Sequence, residues 1–307
     1  MARRIEGLTT GPTIPTVADH RLPAYFASDE ALIDILQRYP DELIEINHHG
    51  AGENPARPST IESLEWPDGR AALDAVKTGR LSIVLHACQE SHPGLWAEVL
   101  RSFGNLAPWI GARHAQAMTG RLVISSPTAE VPYCFEAAGT ILFHLRGVKR
   151  VWIYPQTDAF LPQDEMERAI LRKATHDLGR LPHADGEAYR FDIVPGQALA
   201  WQLHAPHRME NPEGLCVSLM LNYQSKAGRI TTGAHCANGV LRQLGWSIKP
   251  MAQTGWAHRT VLWSVSHVFA ILSMAKNMSI SALRSLRTSG PPAQSRKKPI
   301  HSQTATA

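Results

Sequence analysis

SSPTAEVPYCFEAAGTILFHLRGVKRVWIYP, residues 125–155, and VPGQALAWQLHAPHRMENPEGLCVSLMLNY, residues 194–223, are the most informative segments of the sequence. Both consist of short runs rich in β-branched and aromatic residues, and glycine or proline separates one run from the next. This density of short strands is typical of a β-sandwich or a β-barrel. We therefore predict a barrel over residues 120–225. Its strands are predicted at residues 121–126, 140–147, 150–155, 189–194, 198–203 and 215–223.

The residues before the barrel have mainly helical patterns. Ser28 is a suitable N-cap for a helix that begins DEALIDILQRY. Pro67 opens a second helix, and Pro93 fits the first turn of a third. Residues 81–88, LSIVLHAC, have strand character. We predict that residues 1–119 form an N-terminal helical layer packed on the barrel.

The residues after the barrel are also predicted to be helical. One helix, at residues 163–178, interrupts the barrel, and residues 226–288 are predicted to form C-terminal helices. Residues 289–307 lack apolar periodicity and are predicted to be a disordered tail. The apolar stretch at residues 260–275 is shorter than the ~20 residues that a membrane helix needs and contains His267. We expect it to be a packed amphipathic helix rather than a membrane partner, with an interfacial membrane helix as the alternative.

Composition argues against several classes of function. The formal net charge of +4 comes from basic residues near the C-terminus, so no nucleic-acid partner is expected. None of the four cysteines is spaced as CxxC, which argues against a zinc ribbon or a redox dithiol. The sequence contains no P-loop, no GxGxxG after a strand, no GxSxG and no HExxH. No apolar run follows the first arginines, so we expect no signal peptide and a cytoplasmic location.

Four side chains are candidates for chemistry. Cys134 and Glu136 are two residues apart, so on a strand they point the same way and both can face a barrel interior. His207 follows an apolar strand, in the frame APHRMEN. Lys149 follows the turn at Gly147. Each residue alone also fits an ordinary structural role, but a carboxylate inside a barrel needs a cation or a metal as its partner.

The two segments resemble the JmjC-like cupin family, which includes bacterial cupin-like JmjC proteins and belongs to the Fe(II)/2-oxoglutarate oxygenases. The resemblance implies a mainly β fold with flanking helices, built on a double-stranded β-helix of the jelly-roll or cupin type. It places Cys134, Glu136 and His207 at the positions of the family's Fe(II) ligands, which are histidine, aspartate and histidine. It places Lys149 at the lysine that binds the 2-oxoglutarate carboxylate, and Thr140 at a polar co-substrate contact.

Two of the three metal positions therefore depart from the family's pattern. Glutamate adds a methylene to the aspartate position, and a thiol must ionise before it binds a metal well. A thiolate also favours softer metals such as zinc. His144, which shares the strand parity of Thr140, is a further candidate ligand.

Three functions remain open. The chain is a hydroxylase of a protein side chain or small molecule that uses Fe(II) and 2-oxoglutarate at an altered site, a catalytically inactive cupin-fold binding or scaffold protein, or a zinc-binding cupin. No motif specifies the substrate. The C-terminal helices pair two copies of the chain in some JmjC-type hydroxylases, and their apolar side here predicts a homodimer.

Overall fold

The computed structural model describes residues 14–49, 66–175, 178 and 185–276. The strands are β1 Thr16–Asp19, β2 Ile44–His48, β3 Leu81–Leu85, β4 Gln116–Ser125, β5 Glu130–Cys134, β6 Gly139–Arg146, β7 Lys149–Ile153, β8 Tyr189–Ile193, β9 Gln197–Trp201, β10 His207–Glu210 and β11 Cys216–Gln224. The α-helices are α1 Asp29–Arg38, α2 Gly69–Thr78, α3 Cys88–Ser91, α4 Pro93–Leu106, α5 Gln163–Arg172, α6 Lys226–Gln243 and α7 Trp256–Lys276.

The strands β4–β11 form a double-stranded β-helix. They pass between a seven-stranded sheet, with the order β1-β9-β6-β11-β4-β3-β2, and a four-stranded sheet, with the order β5-β10-β7-β8. Neighbouring strands are antiparallel throughout both sheets of the described chain. This interleaving is that of a jelly roll, in which two facing sheets enclose a lumen. The predicted mainly β, cupin-type fold with flanking helices is confirmed.

The six predicted barrel strands correspond to β4, β6, β7, β8, β9 and β11. Strand β10 was not predicted separately because it is only four residues long. Its residues alternate between buried, at His207 and Met209, and half-buried, at Arg208 and Glu210. The predicted helix at residues 163–178 is shorter than expected. It ends at Arg172 because Lys173 adopts a left-handed conformation with φ 54°.

Residues 1–119 are more than a helical layer. Strands β1, β2 and β3 extend the seven-stranded sheet at its two edges, and β4 already begins at Gln116. Strand β3 was predicted, but β1 and β2 are four and five residues long, and pairing with β9 and β3 stabilises them. Such pairing is a tertiary effect that local sequence patterns do not report.

The predicted helix starts at Ser28 and Pro93 are confirmed, whereas α2 begins at Gly69 with Asp68 as its N-cap, two residues after Pro67. The Ser28 side chain accepts a hydrogen bond from the Ala31 amide at 3.2 Å, which caps α1. Pro93 lies in the first turn of α4. These helices cover the outer face of the seven-stranded sheet, where the largest apolar cluster of the described residues lies. The largest apolar core of the described residues therefore lies outside the lumen.

A second apolar cluster fills the middle of the lumen. Because side chains alternate along a strand, Leu142 of β6, Val151 of β7, Leu199 of β9 and Met209 of β10 all point inward. All four are almost fully buried and pack together. Polar side chains are confined to the two ends of the lumen.

Helices α6 and α7 pack closely against each other. A Cβ at Gly233 of α6 would lie 2.5 Å from the Trp263 ring of α7, so only glycine permits this approach. On α7 Leu262 is buried, whereas its neighbour Val261 is exposed. No helix of the described residues is both long enough and apolar enough to cross a membrane. The homodimer stays a prediction, and residues 277–307, including the predicted tail, lie outside the described residues.

Candidate metal and co-substrate site

Cys134 and His207 meet at one end of the lumen. Cys134 ends β5 and lies directly opposite His207, the first residue of β10. Both side chains are almost fully buried, and Cys134 Sγ lies 3.5 Å from His207 Nε2. His207 Nδ1 lies 3.0 Å from the Ala205 carbonyl, which can only accept, so Nδ1 carries the proton and Nε2 is an acceptor. A metal-binding histidine is oriented in the same way. The Cys134 thiol can donate to Nε2 or to the His207 main-chain carbonyl, which lies 3.7 Å from Sγ.

The thiol of Cys134 stays protonated. Burial raises the pKa of Cys134 far above its ordinary value, and the negative charge of Glu136 raises it further. The nearby guanidinium of Arg121 opposes this effect but is the smallest of the three causes. Since the thiolate is the form that binds metals, a metal ion would have to displace the proton of the Cys134 thiol in order to bind.

Glu136 already has a cation as its partner. It lies just beyond the end of β5, and its Oε1 accepts a hydrogen bond from Arg121 Nη2 of β4 at 2.8 Å. The pair is largely shielded from water, with side-chain exposures of 10% for Glu136 and 23% for Arg121. A divalent cation at this carboxylate would have to displace Arg121 or bind beside its positive charge, which Coulomb repulsion opposes.

Thr140 is also engaged by the protein. This buried residue of β6 faces Trp201 of β9 and Asn222 of β11. Its hydroxyl oxygen lies 3.2 Å from the Ala138 carbonyl and 3.4 Å from Asn222 Oδ1. Because Trp201 packs on the His207 ring at 4.8 Å between centroids, Thr140 belongs to the same end of the lumen. We call Cys134, Glu136, Thr140 and His207 with their partners the cysteine end.

Lys149 lies at the opposite end of the lumen. On β10, His207 faces Ile153 of β7, whereas Lys149 is four residues earlier on β7, about 13 Å away along the strand. Lys149 is buried, and its Nζ donates to Asn211 Oδ1 at 2.7 Å. Burial lowers the pKa of Lys149 from its ordinary value.

Two sets of hydrogen bonds occupy the polar side chains around Lys149. Asn211 Nδ2 donates to the Ser126 carbonyl at 2.8 Å, and the Ser126 hydroxyl donates onward to main-chain carbonyls. His144 uses both ring nitrogens here, one 2.9 Å from Ser218 Oγ and one 3.0 Å from the Gly147 carbonyl. We call Lys149, Asn211, Ser126, His144 and Ser218 the lysine end. His144 therefore belongs with Lys149, and its candidacy as a substitute metal ligand is wrong.

The residues present do not fit Fe(II) and 2-oxoglutarate. Within the described residues, no group of three or more histidine, cysteine, aspartate or glutamate side chains is arranged to hold a metal ion. Val151 and Met209 lie between His207 and Lys149 and are buried, so a co-substrate joining the two ends would need space that they occupy. The structure thus brings together Cys134 and His207, leaves Glu136 paired with Arg121, and separates Lys149 from all three.

The sequence did not identify Arg121 and Asn211 as the partners of Glu136 and Lys149. Arg121 lies in the predicted strand RLVISS, with the same parity as Val123 and Ser125, and that parity placed it on the inner face. Asn211 follows His207 and Met209 at every second position, which is the same signal. Neither signal identifies the partner, because pairing across strands depends on register.

Comparison with known proteins gives structural similarities only. No protein-family model matches the chain, and no curated protein matches its sequence. The Escherichia coli ribosomal oxygenase YcfD in complex with cobalt and 2-oxoglutarate is similar at TM-score 0.46 and 14% identity, over 78% of this chain and 56% of that one. Another crystal structure of the same E. coli oxygenase gives TM-score 0.46 and 14% identity, over 84% and 63%. An oxalate decarboxylase gives TM-score 0.27 and 13% identity, over 47% and 26%.

The chain thus spans 56% to 63% of the length of these oxygenase structures. At TM-scores below 0.5, the similarities carry no argument about this chain. Its cupin-type fold is assigned from its own strand order.

Proposed function

We propose that this chain is a catalytically inactive cupin-fold binding protein, in which contacts within the protein have replaced the metal and the 2-oxoglutarate. The observation that carries the proposal is the Glu136–Arg121 ion pair at 2.8 Å, because it neutralises the one carboxylate at the cysteine end that a metal would need. Removing one member of a shielded ion pair leaves the other charge without compensation. A metal that displaces Arg121 from Glu136 would therefore leave the guanidinium without its counter-charge, and the free-energy cost of that loss opposes metal binding.

The lysine end supports the same proposal. A lysine that receives a co-substrate carboxylate needs open space in front of its ammonium group. Lys149 instead donates to Asn211, and the apolar cluster of the lumen lies between it and His207. Both halves of an oxygenase site are thus occupied by the protein's own side chains.

The experiment is a turnover assay with the wild-type chain, Fe(II), ascorbate and 2-oxoglutarate under air. We expect succinate to form no faster than in the His207→Ala variant, because no metal site assembles. Succinate formation that depends on 2-oxoglutarate and disappears in His207→Ala would contradict the proposal and favour an oxygenase with an altered site.

A zinc-binding cupin is the second candidate, and one observation favours it. The proton on His207 Nδ1 leaves Nε2 directed at Cys134, and thiolate with imidazole is a zinc-type pair. Zinc would have to displace the thiol proton and draw Glu136 away from Arg121. Elemental analysis of protein purified without added metal distinguishes the zinc-binding cupin from the inactive binding protein. One zinc per chain in the wild-type protein that is lost in Cys134→Ser would support the zinc-binding cupin.

A further inference from the structure

A polar cavity of about 350 Å³ lies outside the lumen, beyond the cysteine end. It is enclosed by the segment after β7, the β9–β10 turn, α5, α6 and the start of α7. None of the candidate metal or co-substrate residues is among the side chains that line it. An inference about this cavity therefore does not rest on the proposed function. Its volume is in the range of cavities that hold small molecules.

Three buried polar side chains line this cavity: His204, Thr231 and His235. Among the described residues, the Thr231 hydroxyl has no hydrogen-bond partner. His204 Nε2 lies 3.0 Å from the Thr232 hydroxyl, so one of its ring nitrogens is already engaged. His204 also holds a left-handed backbone conformation with φ 64°, which is strained for a residue with a side chain. Strain and an unpaired buried hydroxyl at one cavity are typical of a binding site.

Arg259 of α7 supplies the charge of the cavity wall. It is half-buried, and its neutral contacts are the Met251 carbonyl, 3.0 Å from Nη2, the Thr254 hydroxyl, 3.5 Å from Nε, and the Trp256 ring, 5.8 Å from its guanidinium carbon. No carboxylate of the described residues lies within ion-pair distance of it. The half-buried arginines elsewhere in the described chain that have carboxylate partners are Arg121, Arg146, Arg150, Arg208 and Arg242.

Two further features favour an anion beside Arg259. It lies in the first turn of α7, where the helix dipole adds positive potential. Burial lowers its pKa, which reports a guanidinium that has lost water without gaining a counter-charge. An anion bound in the cavity would supply the counter-charge that no described residue gives Arg259.

The other side chains that line the cavity indicate which class of ligand fits it. Apolar side chains cover a large part of the wall; they are Leu161, Met166, Leu203, Pro206 and Met251. Asp158 lies exposed at the rim and would repel a second negative charge. We propose that this cavity binds a small monocarboxylic acid, with its carboxylate on Arg259, its apolar body against these side chains, and a hydrogen bond from Thr231.

Benzoate is the probe, and benzamide is its neutral counterpart of nearly the same shape. Calorimetric titration of the full chain should give saturable benzoate binding, with a Kd on the order of 1 mM or tighter for a ligand of this size. Benzamide should bind at least about tenfold more weakly, because it cannot form the charge-assisted pair. Saturable binding of both with equal affinity, or no saturation by benzoate at about 20 mM, would overturn the proposal.

Two arginine variants test whether benzoate binds at Arg259. Arg259→Gln should weaken benzoate binding at least about tenfold. Arg229→Gln, which removes the same charge from the exposed face of α6, should change it less than about twofold. Equal affinities in the two variants would place the probe elsewhere and overturn the assignment. If Arg259→Gln fails to fold, the comparison of benzoate with benzamide on the wild-type chain still tests whether the protein binds a carboxylate.

Discussion

The two ends of the lumen carry similar polar side chains in different settings. At the lysine end, Lys149 and His144 are bonded to buried side chains and main-chain carbonyls that are themselves bonded. At the cysteine end, Cys134 and His207 face each other at 3.5 Å, and Glu136 is held by an arginine with partial access to water. The lysine end is thus built like a structural network, whereas the cysteine end keeps a ligand-like histidine beside a neutralised carboxylate. We expect substitutions at the lysine end to act mainly on stability and those at the cysteine end mainly on metal affinity.

The largest expected effect lies at the lysine end. Asn211→Leu removes the hydrogen-bond acceptor of Lys149 and should lower the free energy of unfolding by about 3 kcal/mol, because a buried ammonium group is left without that hydrogen bond. Chemical denaturation measures this loss. The double variant Lys149→Met/Asn211→Leu is the control and should regain most of it. A double variant as unstable as Asn211→Leu would show that the ammonium is not the cause.

The stability of the fold should also depend on pH, because His144 is a buried titratable group at the lysine end. Burial, aided by the charge of Lys149, lowers the pKa of His144 to about 4 from an ordinary 6.5. The unfolded chain therefore binds more protons between these values, so stability is full above about pH 6.5 and falls by up to about 3 kcal/mol as the pH approaches 4. Denaturation at several pH values should show a shallower loss in His144→Gln. The exposed His258→Gln on α7 should leave the loss unchanged, and equal slopes in all three proteins would refute the assignment.

A smaller effect is expected at the cysteine end. Arg121→Leu leaves Glu136 without its guanidinium partner and should cost about 2 kcal/mol of stability, since the hydrogen bond involves charged groups but is partly exposed. The same change should raise affinity for Co(II), because the carboxylate becomes available and a positive charge is removed. Arg168→Gln, at an exposed pair with Asp164, is the control and should change neither quantity. An unchanged Co(II) affinity in Arg121→Leu would mean that the ion pair does not block the site.

The smallest effect concerns the predicted co-substrate contact. The Thr140 hydroxyl makes two long contacts, at 3.2 and 3.4 Å, so Thr140→Val should cost less than about 1 kcal/mol. Thermal unfolding measures the difference. A loss comparable to that of Asn211→Leu would show that both ends are equally structural and would remove the contrast between them.

The barrel could be predicted from sequence because its strands carry strong local signals. The runs around Leu142, Val151 and Leu199 alternate or are continuously apolar, and glycine or proline ends most of them. Strands β1, β2 and β10 are short and depend on pairing across the sheet, which no local pattern reports.

The candidate site was predicted only in part. The opposition of Cys134 and His207 follows the order of strands in the fold, and the structure brings them together. The Glu136–Arg121 and Lys149–Asn211 pairs join residues 15 and 62 positions apart, so they depend on register and packing that the sequence does not display. If the proposed function is correct, these two pairs are what prevents metal and co-substrate binding at this site.

Anaerobic titration of Co(II) into the wild-type chain, followed by visible absorption, tests the central claim most directly. The restored variant Cys134→His/Glu136→Asp/Arg121→Leu serves as the positive control, since it rebuilds two histidines and a carboxylate without the competing arginine. We predict no saturable absorption change in the wild-type chain and a change that saturates at one equivalent in the restored variant. Saturation of the wild-type chain at one Co(II) per chain, lost in His207→Ala, would contradict the claim that the protein's own contacts have replaced the metal.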